Sequence, residues 1–214
     1  MHKILNEIFM NQKINLIGSG RTDAGVHANS QIANIALETT MAPNQIKNAI
    51  NRKLPNDIYI HDCQIVPDSF HARFSAIKRE YNYYIISDYS TTKRFYTWFC
   101  KWPLDYDKLT ECSNLLIGQH DFSLFSKASS ETENKICTIY ISDWIKDNDM
   151  LVYNIKANRF LQHMVRLLVG TMIEVSRGRI ALIDFKRMLD CKKTKFTAVR
   201  APANGLFLHN IYYD

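Results

Sequence analysis

Eleven consecutive residues, Gly18 to Ala28, reading GSGRTDAGVHA, limit what this chain can build more than any other stretch. Glycines at 18, 20 and 25 call for a loop, because glycine takes backbone conformations that other residues resist and weakens regular elements. That loop carries one carboxylate, Asp23, two positions after Arg21. The planar fork of Arg21 can pair with the carboxylate or with a phosphate. A carboxylate beside a fixed cation stays ionised at neutral pH, which suits a nucleophile or general base better than a general acid. A dinucleotide fingerprint would need glycine where Asp23 stands, and a phosphate loop would end in Gly-Lys-Ser/Thr, which is absent. The plain alternative is a glycine-rich turn with a satisfied Arg21–Asp23 pair.

The surrounding chain has 214 residues, enough for one large domain or two small lobes with a core. Apolar residues make up 46%, which argues against disorder. The net charge of +6 favours an acidic partner such as nucleic acid. Residues 151–200 concentrate that charge, with eleven Lys/Arg against three Asp/Glu. A solvated basic surface is the alternative to a polyanion-binding face. The five cysteines are scattered without a C-x-x-C pair, so zinc ribbons and redox motifs lack support, and a reducing, cytoplasmic setting fits. No histidine pattern suggests a metal site. Neither a membrane span nor a signal-peptide core is present in the sequence.

Hydrophobic spacing predicts helices over 3–10, from Pro43, over 106–117, 162–176 and 181–190. It predicts strands over 13–17, 31–37, 58–66, 78–87, 95–102 and 205–213. A hairpin is predicted from 136–146 and 150–157 around Asp147-Asn148-Asp149. The polar stretch 126–135 reads as a mobile loop. Helices mixed with hairpin-connected strands give an α+β class with a mixed, mostly antiparallel sheet.

Two further blocks carry chemistry. Phe70-His71-Ala72-Arg73-Phe74, followed by Lys78, Arg79 and Tyr81, interleaves cations with aromatics, as single-stranded RNA binding requires. An amphipathic strand with core rings is the alternative. Lys156-Ala-Asn-Arg159-Phe-Leu-Gln-His163-Met-Val-Arg166 places His163 and Arg166 three apart on one helix face. His163 there could equally pack or cap.

The GRTDAGVHA string resembles the catalytic motif of the tRNA pseudouridine synthase A family, and the other two blocks match its second and third motifs. Ala201-Pro202 through Gly205-Leu206 resembles its C-terminal strand. The likeness runs from near residue 4 to the end. It implies that Asp23 is the catalytic aspartate, that Tyr81 packs against the target base, and that Arg166 lies close to Asp23. Arg21, Arg73, Arg79, Lys156 and His163 are the further substrate-binding candidates. The family fold is pseudo-symmetric, with two lobes flanking a basic cleft, here expected at 1–100 and 101–214. The resemblance also implies a homodimer that uses no metal or cofactor and modifies uridines 38–40 in the anticodon stem-loop of tRNA.

Family members begin with a strand and a Tyr-Asp-Gly…Gly-Trp-Gln segment before the first helix, and here Met1 enters at that helix. The expectation is that about 25–30 residues are missing, a strand and a loop at usual lengths. A non-catalytic RNA-binding remnant is therefore the second reading. A nucleic-acid glycosidase is the third, although such enzymes use two carboxylates and only Asp23 stands out.

Overall fold

Tyr81, Tyr83 and Ile85 alternate along one face of a nine-residue strand, and the main sheet is built outward from it. The structure, a computed structural model, describes residues 1–10, 12–127 and 132–214. In chain order the elements are α1 (His2–Ile8), β1 (Ile17–Gly18), β2 (His27–Ala28), β3 (Ala33–Asn34), α2 (Pro43–Asn51), β4 (Lys78–Ile86) and β5 (Trp98–Phe99). They continue with α3 (Tyr106–Leu115), β6 (Gly118–Asp121), β7 (Ile136–Asp147), β8 (Met150–Ala157), α4 (Met164–Ser176), α5 (Leu182–Leu189) and β9 (Leu206–Tyr212). The expected loop 126–135 falls partly on residues 128–131, outside the described residues. Two compact units result, one of residues 1–20 and 32–75, the other of 21–31 and 76–214.

In the first unit, β1 and β3 form a short antiparallel pair, with Ile17 opposite Asn34. Leu5 and Phe9, from α1 and its end, bury with Ile14 and with Ile50 of α2. The strand predicted over 58–66 does not form. Ile65 is 87% exposed, so the alternation there buries little. The Asn51 amide also occupies both backbone groups of Ile60, donating to its carbonyl and accepting from its N–H. A neighbouring strand has no ladder to extend at that point. The strands predicted over 13–17, 31–37 and 95–102 shrink to the two-residue pieces β1, β3 and β5.

In the second unit the seven-stranded sheet runs β2-β9-β4-β8-β7-β6, and β5 adds to β4 beyond the end of β9. Among the described residues, only the β2–β9 and β4–β5 pairings are parallel. The sheet is thus mixed and mostly antiparallel, and with the helices the fold is α+β. The predicted hairpin is present as β7–β8, and Asn148 takes a positive φ at its turn. The pairing of β6 with β7 is an addition that the sequence did not signal.

One face of the sheet carries the core. Tyr83, Ile85, Tyr153 and Ile155 bury there with residues of α3, α4 and α5. Ten of the residues of α4 are buried, so this helix is apolar nearly all round and belongs inside. Each of its buried Val, Leu, Ile and Met side chains contributes about 1.5–3 kcal/mol on leaving water. The other face carries the alternate residues: Glu80 and Asn82 of β4, opposite Lys156 and Asn154 of β8.

Candidate active site

Asp23 is placed by a tight turn that only glycine closes comfortably. The Val26 N–H donates to the Asp23 carbonyl at 3.1 Å, and Gly25 takes φ +81° at the third position of that turn. The chain then enters β2, where His27 and Ala28 pair with Phe207 and Leu208 of β9. The Asn29 N–H continues the link to the Leu208 carbonyl. The loop is therefore tied down on the C-terminal side of the carboxylate.

Arg166, in the first turn of α4, meets Asp23 with a 2.8 Å bond from Nη1 to Oδ2. Its Nε donates to the Ala201 carbonyl at 2.9 Å, and the Ala201 N–H donates back to the Arg166 carbonyl at 2.9 Å. The guanidinium is thus held from behind while its front is given to the carboxylate. Segment 199–201 can lie this close to the helix because residue 170 is glycine. The Val199 N–H is taken by the Thr171 hydroxyl at 3.0 Å. The Asp23 side chain keeps 18% of its surface. It is open to a substrate, yet shielded enough for its ion pair to be stronger than one in bulk water.

His163 precedes α4 in the left-handed conformation, φ +66°. For a non-glycine residue that backbone is uncommon and costs about 1 kcal/mol. The ring does not cap the helix; Nε2 lies 3.5 Å from Asp23 Oδ1. Burial lowers the His163 pKa most. Asp23 opposes that shift, while Arg200, Arg166 and Lys127 reinforce it.

Tyr81 stands on the core face of β4, where its ring meets Phe160 edge-on at 5.1 Å. Burial pushes its hydroxyl up to about 12, with Arg79 opposing and Asp23 adding to the shift. The phenol therefore stays protonated at neutral pH. Arg79 donates to the carbonyls of Ala76 and Asn158.

The remaining sequence candidates are placed elsewhere. Arg21 is exposed, and the ion pair made by Asp23 is with Arg166. Lys156 points to the face opposite Tyr81, 3.3 Å from Glu80 and over the Tyr212 ring. Glu80 also accepts from Asn154 and Tyr212. Arg73 belongs to the first unit and lies over Phe74. Residues not singled out in the sequence also matter. Arg200 Nη1 reaches 3.4 Å from His163 Nδ1, and the Lys127 N–H is bonded to the Gln162 carbonyl. The charge density of 151–200 was the one signal for Arg200.

A family model described as tRNA pseudouridine synthase matches residues 1–75 and 113–214, which include Asp23, His163 and Arg166 but leave Tyr81 between the two segments. The chain is 36% identical over 200 residues to the tRNA pseudouridine synthase A of Exiguobacterium sibiricum, covering 94% of this chain and 80% of that relative. It is 38% identical over 204 residues to that of Chlorobium limicola, covering 95% and 84%. Against the Bacillus subtilis protein of the same name it is 37% identical over 204 residues, covering 94% and 83%. Likeness this extensive, spanning the loop of Asp23 and the helix of Arg166 alike, is that of a homologue, and the chain belongs to the tRNA pseudouridine synthase A family.

Proposed function

We propose that this chain converts uridine to pseudouridine in the anticodon stem-loop of tRNA, with Asp23 as the catalytic carboxylate. The observation that carries the reading is the partly shielded Asp23–Arg166 ion pair, with His163 3.5 Å from the same carboxylate. In the reaction the N1–C1′ bond breaks, the base turns, and C5 bonds to C1′. The C5 proton leaves and N1 takes a proton in its place. The carboxylate serves by attacking the sugar or base, or by removing the 2′ hydrogen, and Arg166 holds it in place for each of these routes.

The target nucleotide must leave the stack to reach Asp23, at a cost of a few kcal/mol. Contacts from cations to the RNA backbone offset that cost. Arg21 and Arg73, both exposed, are proposed for this role together with the cations beside Asp23. The Tyr81 ring provides a stacking surface, and its protonated hydroxyl donates rather than removes a proton. A homodimer with lobes at 1–100 and 101–214, working in the cytoplasm, completes the proposal.

The test is pseudouridine mapping on tRNA by chemical adduct and primer extension, with purified chain and with Asp23→Ala. Product in the anticodon stem-loop that disappears in the variant is the expected result. Bound but unmodified tRNA would replace catalysis with RNA binding alone, and an abasic site would indicate a glycosidase.

A further inference from the structure

We propose that Arg200 and His163 form a positioning relay for Asp23, in which Arg200 fixes the imidazole tautomer and His163 presents its remaining N–H to the carboxylate. An arginine only donates hydrogen bonds. With Arg200 Nη1 at 3.4 Å from His163 Nδ1, that nitrogen must be the acceptor, so the ring proton of the neutral imidazole sits on Nε2. Nε2 is the atom that faces Asp23 Oδ1 at 3.5 Å. The second carboxylate oxygen is already taken by Arg166. Oδ2 of Asp23 thus takes the Arg166 bond while Oδ1 faces the His163 ring at 3.5 Å, so two groups bear on the carboxylate.

The backbone around the ring is arranged to the same end. His163 holds a left-handed conformation and leaves its helix uncapped by its side chain, so the ring is free to point at Asp23. Arg200 is the residue before Ala201, whose N–H and carbonyl are both bonded to Arg166. Arg166 on α4 and Arg200 on the segment bonded to it thus approach Asp23 and His163 from two elements that brace each other. The charged groups facing the ring are Asp23, Arg200, Arg166 and Lys127. Burial, reinforced by three cations against one anion, holds the imidazole below its ordinary range. A protonated ring would lose the Arg200 bond and place a second full charge on Asp23, weakening it as a nucleophile or base. The relay rests on the reading of Asp23 as the catalytic carboxylate.

Side-chain nitrogen NMR of the full chain tests the relay without substrate, with His163 assigned through His163→Gln. The expected wild-type ring is the Nε2–H tautomer, titrating below the ordinary imidazole range. Arg200→Ala should mix the tautomers and move the titration to higher pH, and Arg200→Lys should restore the wild-type pattern. Identical tautomer and titration in wild type and Arg200→Ala would overturn the relay. Turnover at saturating tRNA gives the second readout. The ratio of kcat at pH 6 to kcat at pH 8 should fall about threefold in Arg200→Ala as the acid limb shifts upward. An unchanged ratio in an active variant would remove the relay from turnover. A wild-type chain that makes no pseudouridine at any pH would count against Asp23 catalysis, while the NMR result would still decide whether the relay exists.

Discussion

Gly170 and Val199 are in direct backbone contact: a Cβ at residue 170 would stand 2.2 Å from the Val199 carbonyl oxygen and 2.8 Å from the Ala201 nitrogen. Neither atom belongs to a flexible side chain, so the clash cannot be relieved by a rotamer change. Gly170→Ala should cost about 2–4 kcal/mol, in the range of overpacked or distorted cores. It should also lower turnover, because segment 199–201 is what braces Arg166. Denaturant melts with parallel tRNA assays check both effects.

Arg166 makes two bonds in two directions, to Asp23 and to the Ala201 carbonyl. A lysine has one nitrogen and cannot reproduce that fork. Arg166→Lys and Arg166→Ala should therefore both lower kcat, by about 10- to 100-fold, on the scale of a lost charge-assisted hydrogen bond. Equal kcat in Arg166→Lys and wild type would show that charge alone is enough.

Tyr81 separates ring from hydroxyl. Tyr81→Phe keeps the edge contact with Phe160 and should leave the melting temperature close to wild type. Tyr81→Ala removes a partly buried ring and should cost less than the ~3–5 kcal/mol of a fully buried aromatic. With the hydroxyl pushed up to about 12, no alkaline loss of activity below pH 10 should belong to Tyr81. The pH–rate curve of Tyr81→Phe should then match the wild-type shape over pH 6–10.

Acid should weaken the fold in two separable windows. The folded His163 pKa lies below its ordinary 6.5, so as pH drops through 6.5 the unfolded chain takes up the proton first and stability falls. Below the folded pKa both states are protonated and the loss stops growing. The folded Glu80 pKa lies below its ordinary 4.5, held down by hydrogen bonds from Tyr212, Asn154 and Lys156 against the opposing effect of burial. Its contribution is present above 4.5 and is lost as pH falls through the folded value. Melting temperatures across pH 3–8 should show His163→Gln flattening the first window and Glu80→Gln the second.

The sequence made legible those parts that are local or periodic. The turn at Gly25, the β7–β8 hairpin and the amphipathic pattern of α2 each depend on a few neighbouring residues. The nearness of Arg166 to Asp23 followed from family resemblance, since nothing in the spacing of residues 23 and 166 reports a distance. Register was not legible: Lys156 reads as one more cation near the third motif. Only its pairing opposite Glu80 shows which face of the sheet it points to. The Asn51 amide that occupies Ile60 was equally invisible, and alternation over 58–66 was therefore read as a strand. Arg200 acquires meaning only once His163 adopts a left-handed backbone and segment 199–201 crosses α4 at Gly170.

The parallel pairing of β2 with β9 has a consequence for the order in which the protein matures. Asp23 is synthesised long before the strand that anchors its loop, since β2 and β9 are far apart in the chain. The Ala201 brace behind Arg166 likewise comes long after Asp23. A nascent chain therefore carries the Asp23 loop without its anchoring strand until β9 is made, and the loop is aimed only once that strand pairs.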